Sequence, residues 1–109
     1  MNRPEVLQAL QSSGVVPVVR SKSAQSAQTA VDWLMDAGFA VFEIPLTTPG
    51  ALELIWRLSR MEGVIAGAGT DLSGGDARAC IDAGAMFVVC PGIVPQVPAL
   101  CNAGGVACV

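Results

Sequence analysis

Ala40-Val41-Phe42-Glu43-Ile44-Pro45-Leu46-Thr47-Thr48-Pro49 decides how the rest of the 109-residue chain is read. Its two-residue alternation places Phe42, Ile44 and Leu46 on one face of a strand, with Val41 and Glu43 on the other. Glu43 is the odd residue in an apolar neighbourhood. A buried carboxylate without a partner is costly, so such a group is normally paired, shifted in acidity or functional. A wet, idle Glu at a strand edge fits the stretch equally well. Thr48 can cap, and Pro49 begin, a helix that follows the strand at once.

Outward from this stretch the pattern repeats. Upstream, residues 4–13 carry Val6, Leu7 and Leu10 on one helical side, and Gly14 ends that helix. Val15-Val16-Pro17-Val18-Val19 is an apolar strand with Arg20 at its C-terminal end. Ser21 or Ser23 caps a helix whose inward stripe is Ala27, Ala30, Val31 and Leu34. Downstream, a helix from Pro49 through residue 61 turns Leu52, Ile55 and Trp56 inward. Val64-Ile65-Ala66-Gly67-Ala68-Gly69-Thr70 is a strand running into a glycine-rich turn. A helix over 73–82 buries Ala77, Cys80 and Ile81, and Met86-Phe87-Val88-Val89-Cys90 is a strand stopped by Pro91-Gly92. Val97, Leu100 and Cys101 mark a last short helix, and residues 106–109 begin a fifth strand.

Gly38, Gly63, Gly84 and Gly104 close the helices at intervals of 25, 21 and 20 residues. A strand–helix unit repeated at that spacing implies parallel strands joined by right-handed crossovers. An open doubly wound sheet and an arc of a (β/α)8 barrel both satisfy it. The short, regular units favour the barrel, and no G-x-G-x-x-G follows the first strand to mark a dinucleotide site. The expected fold is α/β of the TIM-barrel type, with about four and a half units over residues 1–109. Five strands do not close a barrel of about eight. The expectation is therefore the first portion of a longer barrel domain, with an apolar strand edge at its end.

Composition narrows the function classes. Hydrophobic residues make up 52% and charged residues 14%, which fits strands buried on both faces and not a disordered chain. A net charge of −3 without a basic cluster argues against nucleic acid. No apolar run reaches the ~18 residues of a membrane span, and the opening residues do not read as a signal peptide, so the expected compartment is the cytoplasm. Cys80, Cys90, Cys101 and Cys108 lack metal-finger spacing and read as reduced, buried thiols. With no histidine, Ser-His and Cys-His pairs are excluded, and acid–base work falls to a carboxylate, a lysine or water.

Arg20, Glu43, Thr70 and Pro91-Gly92 each fall at or just beyond the C-terminal end of a strand, the rim on which barrels build their sites. Arg20 could hold a carboxylate or phosphate by its two-pronged guanidinium, although a lone arginine is more often a solvated loop cation. Thr47 and Thr48 read as helix caps first and ligand contacts second. Lys22, the only lysine, sits in a polar serine-rich turn and reads as solvated.

Val16-Pro17-Val18-Val19-Arg20, Phe42-Glu43-Ile44-Pro45-Leu46-Thr47-Thr48-Pro49, Gly67-Ala68-Gly69-Thr70 and Cys90-Pro91-Gly92 occur in an order that resembles one enzyme family along nearly the whole chain. That family is the 2-keto-3-deoxy-6-phosphogluconate aldolases, with the related 2-dehydro-3-deoxy-6-phosphogalactonate and 4-hydroxy-2-oxoglutarate aldolases. The resemblance implies a homotrimeric, metal-free and cofactor-free (β/α)8 barrel. Such an enzyme would cleave a keto-acid phosphate to pyruvate and glyceraldehyde 3-phosphate through a Schiff base. It further implies that Glu43 shuttles protons through a water, that Arg20 and Thr70 hold the pyruvate-derived carboxylate, and that Pro91 lines the pocket. Thr47 stands where gluconate-type members often carry Arg, and the Ile44-Pro45-Leu46-x-x-Pro49 pattern leans toward the galactonate type. The family's Schiff-base lysine and last phosphate-binding loops belong to strands beyond the fifth. On that reading this segment alone is inactive. The competing expectations are a non-catalytic half-barrel that serves folding or association, and a phosphate-handling barrel related to thiamine-phosphate synthases. The latter does not account for a Glu inside the second strand.

Overall fold

The computed structural model describes residues 2–69, 74–90 and 95–109. Four strands, β1 (Val41–Pro45), β2 (Ile65–Gly69), β3 (Phe87–Val89) and β4 (Ala107–Cys108), pair in sequential order, every neighbour parallel. Residues 17–19 extend this sheet beside β1. Val18 bridges Glu43 in parallel, the Val19 N–H donates to the Glu43 carbonyl at 2.9 Å, and the Glu43 N–H donates to the Pro17 carbonyl at 2.9 Å. The expected first strand is thus a single bridge. Pro17 has no N–H to give, which shortens the ladder.

The helices are α1 (Arg3–Ser13), α2 (Ala24–Asp36), α3 (Ala51–Ser59), α4 (Gly74–Ala83) and α5 (Gln96–Gly104). One buried cluster joins Phe42, Ile44, Ala66, Ala68 and Val88 of the sheet to Ala27 and Val31 of α2, Ile55 of α3, Cys80 of α4 and Val97 of α5. All four crossover helices therefore cover the same face. A doubly wound sheet divides its helices between two faces and reverses its strand order. Sequential parallel strands with helices on one side form an arc of a barrel instead.

The other face holds a smaller cluster: Val6 from α1 packs with Val41, Ile65, Phe87 and Ala107. No local pattern announces that α1 plugs the N-terminal end of this inner face. Val41, which shares the Glu43 side of its strand, is buried by it, whereas Val88 belongs to the helix side. An Arg3 to Asn102 side-chain hydrogen bond of 2.7 Å ties α1 to α5.

Other expectations change in detail. Ser23 caps α2 through its hydroxyl, which accepts from the Ser26 N–H at 3.0 Å. Thr48 does not cap α3; Gly50 does, at φ 72°, so the helix starts two residues later than Pro49. Its inward stripe is accordingly Ala51, Leu54, Ile55 and Leu58, which leaves Leu52 and Trp56 exposed, with the Arg60 guanidinium 4.2 Å from the Trp56 ring centre. Gly38, Gly63 and Gly84 take positive φ as expected, but Gly105 replaces Gly104 at the last helix end. Of the cysteines, Cys80 and Cys101 are buried, Cys90 is half-buried and Cys108 is exposed, and all are free. Among the described residues no helix is long and apolar enough to cross a membrane.

Candidate functional site

Glu43 occupies the inner face of β1, on one rung with Val18, Gly67 of β2 and, beyond it, Phe87 of β3. Parity dictates the side: Phe42 and Ile44 bury against helices, so Glu43 turns the other way. The residue is 8% exposed. Directly below it the α1 plug fills the inner face with apolar side chains. Burial pushes the Glu43 carboxyl above its ordinary value, and the positive charge of Arg20 pulls it partly back. A carboxyl moved toward neutrality and coupled to a neighbouring cation is suited to taking and returning a proton.

The carboxyl reaches one rung upward and lies over Gly69. A Cβ built on Gly69 would overlap Glu43 Oε1 and stand 2.8 Å from its Cδ. Two residues earlier, a Cβ on Gly67 would land within the Phe87 ring. The glycines at 67 and 69 therefore belong to β2 and give inner-face room to Phe87 and Glu43, whereas Ala66 and Ala68 pack against helices. The expected glycine-rich turn is strand through Gly69. The available signal was glycine at alternate strand positions, which marks close approach of a neighbour.

Arg20 follows the bridge at Val18 and stands, exposed, at the C-terminal end of the sheet. Thr47 is exposed in the loop between β1 and α3, at the same end. Thr48, by contrast, is 2% exposed. Its hydroxyl donates to the Val19 carbonyl at 3.1 Å and accepts from the Ser21 N–H at 3.3 Å. Neither bond was foreseen from the sequence, since partners 29 and 27 residues away leave no local pattern. The structure thus brings Glu43, Arg20 and Thr47 to one rim. Thr70 and Pro91, named from the sequence for the same rim, lie outside the described residues. Lys22 is exposed.

A cleft of about 490 Å³ opens at the opposite end of the strands, between α1 and residues such as Phe39, Val41 and Ile65. No titratable side chain lines it. The ionisable pair Glu43 and Arg20 stands at the other end. Among the described residues no group of His, Cys, Asp or Glu is arranged to hold a metal.

Comparison with known proteins agrees with this geometry. The family model "Aldolase: KDPG and KHG aldolase" matches residues 6–109. A 2-dehydro-3-deoxy-phosphogluconate aldolase of Treponema pallidum is 34% identical over 102 residues, covering 93% of this chain and 49% of the relative. A probable 2-dehydro-3-deoxy-6-phosphogalactonate aldolase of Rhizobium meliloti is 29% identical over 85 residues, 76% of this chain and 40% of the relative. Among solved structures, the 2-keto-3-deoxy-6-phosphogluconate aldolase of Zymomonas mobilis superposes with a TM-score of 0.74 at 30% identity, covering 86% of this chain and 46% of that one. The Legionella pneumophila KDPG aldolase, solved with pyruvate captured as a covalent carbinolamine intermediate, gives 0.74 at 25% identity over 86% of this chain and 46% of that one. The chain spans about half the length of the curated relatives it matches. The family model's match over residues 6–109 places the chain in the KDPG and KHG aldolase family, in keeping with its singly wound parallel sheet.

Proposed function

We propose that this chain is the proton-handling part of a class I aldolase that cleaves a 2-keto-3-deoxy-6-phospho sugar acid to pyruvate and glyceraldehyde 3-phosphate. The observation that carries the reading is the Glu43 carboxyl, buried on the inner face, raised in pKa by that burial and lying under the charge of Arg20. In a Schiff-base aldolase an amine adds to the substrate ketone, and loss of water gives an iminium. A base then removes the proton of the hydroxyl on the far carbon of the bond to be broken, that carbon becomes the aldehyde carbonyl as the C–C bond opens, and the bond's electrons flow into the iminium as an enamine. Protonation of the enamine and hydrolysis release pyruvate and restore the amine. Ionised Glu43 supplies the base, and protonated Glu43 the acid, for these steps through a water. Arg20 and Thr70 anchor the carboxylate of the pyruvate portion, Pro91 lines the pocket and Thr47 contacts the distal part of the substrate. The iminium lysine lies outside these 109 residues, since Lys22 is exposed in the turn before α2. The working enzyme is a homotrimer.

The test is pyruvate release by the protein as its gene encodes it, given the gluconate-type and galactonate-type phosphates and 4-hydroxy-2-oxoglutarate. Turnover of at least one, with Glu43→Gln lowering kcat by about 10²–10⁴-fold, is expected for loss of the acid–base group. Turnover insensitive to Glu43→Gln would remove Glu43 from the mechanism. No turnover of any of the three would favour the non-catalytic reading, which the exposed inner-face Val18 and edge residue Val109 also allow.

A further inference from the structure

We propose that Thr48 is the positioning residue that fixes Arg20 relative to Glu43. The two groups its hydroxyl engages, the Val19 carbonyl and the Ser21 N–H, flank Arg20 on either side. One buried oxygen thus closes a bracket around the Arg20 backbone. On the other side, residues 17–19 are pinned to the backbone of Glu43 itself by the two 2.9 Å bridge hydrogen bonds. Thr48 is in turn held to the end of β1, its N–H donating to the Pro45 carbonyl at 3.0 Å. Strand β1 and its turn therefore carry the carboxylate at one point and the clamp for the cation at another, and their spacing is set by a single short piece of backbone.

The chemistry of the side chain is specific. A valine matches threonine in shape but neither donates nor accepts, so it would leave both backbone groups beside Arg20 without their partner. A serine keeps both bonds. Without the hydroxyl, the 20–21 turn loses its tie to β1, and the guanidinium is no longer held at a set distance from the carboxyl. Among the described residues Arg20 is the charged group that acts on Glu43. The titration of Glu43 consequently reports the position of Arg20.

This inference rests on the reading of Arg20 and Glu43 as the functional pair, and its main readout needs no turnover. In the protein as its gene encodes it, the Glu43 carboxyl is titrated by carbon-13 NMR, and pyruvate binding is measured by calorimetry. Thr48→Val should raise the Glu43 titration midpoint, as should Arg20→Ala, and the double variant should rise no further than Arg20→Ala alone. Thr48→Ser should titrate as the unaltered protein does. Thr48→Val should also weaken pyruvate binding about tenfold, the equivalent of about 1.4 kcal/mol. A Thr48→Val protein with an unshifted Glu43 midpoint, or shifts that add in the double variant, overturns the proposal and leaves Thr48 a simple loop tie. If pyruvate fails to bind the unaltered protein, the aldolase reading fails while the titration cycle still decides the role of Thr48. Should Thr48→Val not fold, hydrogen exchange in the unaltered protein decides. A Ser21 amide protected as well as the β1 amides supports the clamp, and one exchanging as an open loop amide overturns it.

Discussion

Replacing Gly69 by alanine tests the placement of Glu43 more sharply than replacing Glu43 itself. The new Cβ would collide with the carboxyl: it overlaps Oε1, stands 2.8 Å from Cδ and reaches ordinary contact only at Cγ, 3.4 Å away. Gly69 is not among the glycines with positive φ, so its backbone accepts alanine without strain. The collision is with the end of a side chain and not with backbone, and it is relieved by swinging the carboxyl out of its place. Overpacking of this kind costs roughly 1–3 kcal/mol. Against it stands a gain of about 0.4–1 kcal/mol from the reduced freedom of the unfolded chain. Gly69→Ala should therefore destabilise the protein by roughly 0.5–2 kcal/mol. In a Glu43→Ala background the obstruction is gone, and the same substitution should stabilise by about 0.4–1 kcal/mol. Urea unfolding of the four proteins reads the reversal of sign. Pyruvate release should fall by about 10²-fold in the single variant, the usual consequence of displacing a catalytic group by an ångström. Equal destabilisation in both backgrounds would show that the Glu43 carboxyl does not lie over Gly69.

The pH dependence of stability carries a second prediction. Because the folded-state value of Glu43 is raised, its contribution to stability is whole below the unfolded value near 4.5 and is lost as pH rises through the folded value. The stability of the unaltered protein relative to Glu43→Gln should thus decline over that window, and a difference that grows with pH would refute the burial of the carboxyl. A third concerns the thiols. Burial first, with Asp76 adding to it, pushes Cys80 up to about 11, and burial with the neighbouring Cys108 and Cys90 pushes Cys101 up to about 11. Alkylation near pH 8 followed by mass spectrometry should therefore label exposed Cys108 first and leave Cys80 and Cys101 unmodified until unfolding. The fourth is physical. Expressed as these 109 residues alone, the chain exposes Val15 at 60%, Val18 at 50% and Val109 at 59%, together with the outer edge of β4. It should self-associate at low micromolar concentration, and a monomeric sedimentation profile with a cooperative melt would show a self-sufficient domain.

The parts legible in the sequence were those with a local period. Alternation in 41–45 placed Glu43 opposite Phe42 and Ile44, and the stripe Ala27, Val31 and Leu34 gave the buried side of α2. Recurrent helix-ending glycines gave the unit length and, through it, the barrel over the doubly wound sheet. What escaped was non-local. Thr48 looked like a helix cap because the helix signal follows it, but its hydroxyl is engaged by a segment almost thirty residues earlier. The capping role passed to Gly50 and turned the α3 stripe by one position, which is why Trp56 faces outward. Likewise α1 precedes the first strand and has no crossover to obey, so its docking under Val41 and Phe87 on the inner face follows from packing alone. Gly69 carried a signal in its alternation with Gly67, but the identity of the neighbour that needs the space comes only from the fold.

The most direct test of the central claim is borohydride reduction in the presence of pyruvate, using the protein as its gene encodes it, with the modified residue located by mass spectrometry. The account predicts a single stable pyruvate adduct on a lysine outside these 109 residues, still formed when Lys22 is replaced by arginine. The 109-residue chain alone should form no adduct. An adduct on Lys22, or the absence of any adduct, would contradict it.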